Sequence, residues 1–129
     1  MKQEQLTDLL VLKKRIGTLL IEVESHTRQL ADAIDRQDEV SMNMILAMRS
    51  EPLDKLIGID QALREYLDGL GEDRERIRNI LNGDASAAQT DMERVLAEQA
   101  ASNQRIHAKV MELDKILNRK IAKDKSIYG

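Results

Sequence analysis

The sequence predicts an all-α protein: an elongated antiparallel bundle of three long helices and one short connecting helix, with coiled-coil-like packing. Two observations carry that expectation. Apolar residues recur at three- and four-residue spacing through three long stretches, with no strand-like alternation. Charged residues make up 33% and hydrophobic residues 42%, with one Pro and six Gly, a composition that suits a folded helical chain better than a disordered one. At 129 residues the chain reads as one domain, residues 1–129, ending in a flexible basic tail from about 121 to 129.

The first helix is expected from about Gln5 to Arg36. Leu9, Ile16, Val23 and Leu30 repeat every seven residues, and Leu12, Leu19 and Ala33 run beside them with Leu20 and Ile34, giving a wide apolar face. A helix of that length spans about 48 Å. Asp32 and Arg36, four apart in acid-before-base order, suit its exposed side. The break falls at Gln37-Asp38, where Asp38 can cap the next helix by accepting a backbone N–H.

The second helix carries Met42, Ile45, Leu53, Leu56, Ile59, Leu63, Leu67 and Leu70 at helical spacing. Pro52 removes one helical hydrogen bond and crowds the preceding turn, so a new helix could start at Ser50. The apolar row keeps its phase across Pro52, which favours one kinked helix over two. Gly69 and Gly71 close this segment, and a short helix from about Asp73 to Leu81 follows, bounded by Asn82-Gly83.

Ser86 with Gln89, and Thr90 with Glu93, have capping-box spacing, so the last helix starts between Ala85 and Asp91. It runs to about Lys120 with Met92, Leu96, Ile106, Val110, Leu113, Leu117 and Ile121 on its apolar row. Gln99 and Asn103 interrupt that row. Polar residues at such positions fix helix register at a cost in stability; the other reading is that this stretch faces a groove or solvent.

Composition limits function. The net charge is −3, with two Tyr and neither Phe nor Trp, so there is little to stack nucleic-acid bases or neutralise phosphates; no nucleic-acid partner is expected. With no cysteine, disulfides, thiolate nucleophiles and thiolate metal sites are excluded. Neither a secretory leader nor a run of roughly 20 apolar residues is evident, so the expected location is the cytoplasm, without membrane insertion.

Few residues invite chemistry. His26 follows Glu22 by one turn, but neither His26 nor His107 has a Glu three positions before it, the spacing carboxylate-bridged bundle metal sites use. No metal, cofactor or catalytic residue is expected. Arg49 falls on the inward row with Ile45, Leu56 and Leu63, and a guanidinium there must reach solvent or find a carboxylate; a structural ion pair is the preferred reading over an enzyme's cationic site. Met42, Met44 and Met48 cluster on the second helix, where adaptable thioethers fill a core by default and suit binding surfaces as the alternative. From Arg105 onward bases outnumber acids, which complements a helix C-terminus and also suits an acidic partner. Tyr128 lies in that basic end as a lone aromatic, a protein anchor or part of a loose tail.

Three long helices, the Met48-Arg49-Ser50-Glu51-Pro52-Leu53 segment, and the ending Leu113-Asp114-Lys115 through Ser126-Ile127-Tyr128-Gly129 resemble flagellar type III export chaperones of the FlgN/FliT kind. The resemblance implies a cytoplasmic chaperone that keeps hook-associated flagellar subunits soluble and delivers them to the export apparatus without hydrolysing nucleotide. In such proteins the C-terminal helical region commonly engages the subunit. The residues this points to are Ile106, Val110, Leu113, Leu117 and Ile121 for a helical client segment, with Tyr128 toward an export-apparatus component. The rival expectation is a structural or regulatory coiled coil acting by self-association, for example as a homodimer, in which the same row is entirely core.

Overall fold

The computed structural model describes the backbone of residues 2–128 and the side chains of residues 2–123. Among the described residues the chain is all-α, with no strand: α1 (Gln3–Asp35), α2 (Glu39–Asp68), α3 (Arg74–Leu81) and α4 (Asp91–Tyr128). Single 3-10 turns at Gly71–Asp73 and Ala85–Ala87 lead into α3 and α4.

The α1–α2 turn closes with the Gln37 N–H donating to the Ile34 carbonyl and the Asp38 N–H to the Ala33 carbonyl, both at 3.0 Å. That paired closure places Gln37 in the left-handed region, φ 56°, a conformation glycine usually supplies. Asp38 then caps α2: its carboxylate accepts from the Ser41 N–H at 3.1 Å and the Ser41 hydroxyl at 2.6 Å. Those two bonds, side-chain first, hold the Asp38 carboxyl below its ordinary pKa.

α2 passes through Pro52 as one helix, with the proline ring buried. The phase of the apolar row was the better guide than the proline. At its far end α3 closes on Gly83, φ 95°, where an added Cβ would sit 3.1 Å from the Ala101 backbone of α4. Glycine there permits both the turn and the close approach.

α4 begins as the sequence implied. The Glu93 N–H donates to the Thr90 hydroxyl at 3.1 Å, and the Glu93 carboxylate accepts from the Gln89 N–H at 3.4 Å. Glu93 is buried and also receives Arg76 of α3, tying the short helix to the long one. α4 continues to Tyr128, past the Lys120 end expected from sequence, because no proline or glycine intervenes before Gly129.

Two apolar clusters define how the helices meet. The larger joins Leu6, Leu9 and Leu19 of α1 to Ile59 and Leu63 of α2, all three buried residues of α3, and Leu96 and Ala97 of α4. The smaller joins Leu30, Ala33 and Ile34 of α1 to Ile45 of α2 and Leu117 of α4. α1 and α2 are therefore antiparallel, whereas α1 and α4 run in the same direction. α3 fills space only at the end where α1 begins.

Candidate partner-binding surface

The row expected to engage a partner consists of packed side chains. Val110 and Leu117 are each 5% exposed, and Ile106, Leu113 and Ile121 are half-buried. Leu117 lies in the smaller cluster with Leu30, Ala33, Ile34 and Ile45, and Ile121 packs against the same group. In the free chain these five residues form the inner face of α4. The side chain of Tyr128 lies outside the described residues.

Polar contacts hold this half of α4. Arg49 of α2 donates through Nε to the Thr27 hydroxyl at 3.0 Å and through Nη2 to Asp114 Oδ1 at 2.7 Å, linking three helices. The Arg49 and Asp114 side chains are only 17% and 31% exposed, so the pair is stronger than a free surface one. Thr27 is buried and its own hydroxyl donates to the Val23 carbonyl at 2.7 Å. Of the two outcomes open to Arg49 on the inward row, solvent or a carboxylate, the chain takes the ion pair. One turn beyond Leu117, Lys120 Nζ reaches Asp35 Oδ2, the last residue of α1, at 2.6 Å.

The Gln99–Asn103 interruption is also inward. Asn103 is 5% exposed; its amide donates to the Lys13 carbonyl at 2.7 Å and its Oδ1 accepts from Gln99 Nε2 at 3.1 Å. Opposite them α1 carries Gly17, whose missing Cβ leaves the room Asn103 occupies: a Cβ there would lie 2.7 Å from Asn103 Oδ1. The register reading of these two residues accordingly has a structural basis, and Gly17 is the partner sequence reasoning missed. Burial lowers the pKa of the nearby Lys13 ammonium, against an opposing pull from Asp60.

The remaining candidates separate. His26 Nδ1 is buried without a hydrogen-bond partner, as is Tyr66 Oη, whose pKa burial raises, with a smaller push from Asp8. Of the methionine cluster only Met42 packs against the core; Met44 and Met48 are 59% and 46% exposed, in line with Val40 at 79%. The core default for these methionines fails because they lie off the buried row of Ile45, Pro52, Ile59 and Leu63. No group of three or more His, Asp or Glu side chains converges in a metal-binding arrangement among the described residues. Among the described residues no helix is long and apolar enough to cross a membrane.

No family model matches the chain, and no curated protein or solved structure compared with it matches either.

Proposed function

We propose that this protein is a cytoplasmic export chaperone of the flagellar FlgN/FliT kind, built as an elongated helical bundle with coiled-coil-like packing. It binds a hook-associated subunit through the C-terminal half of α4 and hands it to an export-apparatus component. The observation that carries the reading is the reach of α4. α1 ends at Asp35, opposite Lys120, while α4 goes on as helix to Tyr128 through Lys123, Lys125, Ile127 and Tyr128. Eight helical residues beyond Lys120 extend about 12 Å. A client helix meets this basic end first and continues onto the row of Ile106, Val110, Leu113, Leu117 and Ile121, displacing it from α1 and α2, as an amphipathic helix settles into a groove.

The burial of Val110 and Leu117 favours a second reading, a structural or regulatory helical protein that acts by self-association and for which the row is core alone. Leu117→Asp does not separate the two, since a carboxylate in the smaller cluster unfolds it under either reading. Truncation after Ile121 does. Copurification from the native cell should recover a hook-associated subunit with the full chain and lose it with the truncated one, whose melting temperature stays that of the full chain. Recovery of the protein alone in both cases supports the structural reading.

A further inference from the structure

The row on α4 is not the only apolar surface this chain offers. Val40, Met44 and Met48 follow one another at four-residue intervals on the outside of α2, the most exposed of them at 79%. We infer that this stripe is a docking site for a basic amphipathic helix of a partner protein, independent of the export reading.

Three features of the structure specify that occupant. The first is size: eight residues of helix cover about 12 Å, the length of two turns of a docked helix. A stable dimer buries about 800 Å² on each partner, well beyond three side chains, so a second copy of this chain is the poorer fit. The second is side-chain chemistry. Two of the three residues, Met44 and Met48, are unbranched thioethers, which adjust to different apolar partners at little cost.

The third is charge. From Asp32 to Lys55 the chain carries six carboxylates against Arg36, Arg49 and Lys55; Arg49 is turned inward onto Thr27 and Asp114, and Lys55 is paired with Glu51. Glu39 precedes Val40, whereas Glu51, one turn past Met48, is paired with Lys55 at 3.3 Å, so the acidic border lies at the Val40 end of the stripe. The same acidic corner already takes one basic helix end: Asp35 accepts Lys120 of α4. A helix with lysines or arginines flanking an apolar row therefore meets both the stripe and its border, while an acidic helix of the same apolar pattern is repelled.

Methionine methyl NMR of the full chain tests this. The probe is a short amphipathic helical peptide of leucine and lysine, and the control is its leucine and glutamate counterpart. Saturable shifts of the Met44 and Met48 methyls with the lysine peptide are expected, with affinity reduced at least about tenfold in the Met44→Ser, Met48→Ser double variant. Both side chains are exposed, so the variant's melting temperature should stay close to wild type. Equal binding of the glutamate peptide, shifts confined to Met92 or Met111, or no saturable shift would each overturn the proposal. So would methyl shifts that follow protein concentration without peptide, which would assign the stripe to a second copy.

Discussion

Single residues in this protein are constrained by particular neighbours, and that makes their substitution readable. Gln37 sits at φ 56°, where a side chain is strained. Gln37→Gly should raise stability by about 0.5–1 kcal/mol in chemical denaturation, since the turn's two closing hydrogen bonds are backbone only. Gly17 is the opposite case. Gly17→Ala places its Cβ against an Asn103 oxygen that two hydrogen bonds keep from moving aside, so the loss should be about 1–3 kcal/mol. In an Asn103→Ala background that loss should largely vanish, leaving the helix preference of alanine. Asp38 adds a pH signature. Its folded-state pKa is depressed by Ser41, so its contribution is present above the unfolded carboxylate value and disappears as pH falls through the folded one. Thermal melts of wild type and Asp38→Ala should therefore differ at neutral pH and converge in acid.

At the scale of elements, the two ends of α4 are held by different physics. Near Asp91 it meets α1, α2 and α3 in the larger apolar cluster, with Glu93 clamped by Arg76 and the cap. Past Asn103 the apolar cluster is smaller and Arg49–Asp114 and Lys120–Asp35 share the work. Arg49→Met should lower stability by about 1 kcal/mol, and Asp114→Asn should add little further in the double variant, because the contact Asp114 makes with Arg49 is already gone. The sequence made much of this legible. Heptad spacing located α1, the unbroken phase of the row across Pro52 made α2 one helix, and two capping-box spacings bracketed the start of α4, of which the chain uses Thr90 with Glu93. It also showed that Arg49 had to reach solvent or find a carboxylate, and favoured the carboxylate. It could not show which one, because periodicity reports the apolar face of a helix but not the helix it faces. For the same reason Gly17 was silent until Asn103 was placed opposite it, and Met44 and Met48 looked like core although they lie off the buried row.

For the whole molecule, α1 is the shared support: α2 returns along it and α4 runs with it, both packed on its face. α4 is the element that outlasts it, and there the proposed function resides. The direct measurement is calorimetric titration of a purified hook-associated subunit into the full chain and into the chain ending at Ile121. Saturable binding by the full chain, lost on truncation while circular dichroism shows the same cooperative melt, is the result this account predicts. Equal affinity of the two forms, or no binding by the full chain, would contradict it.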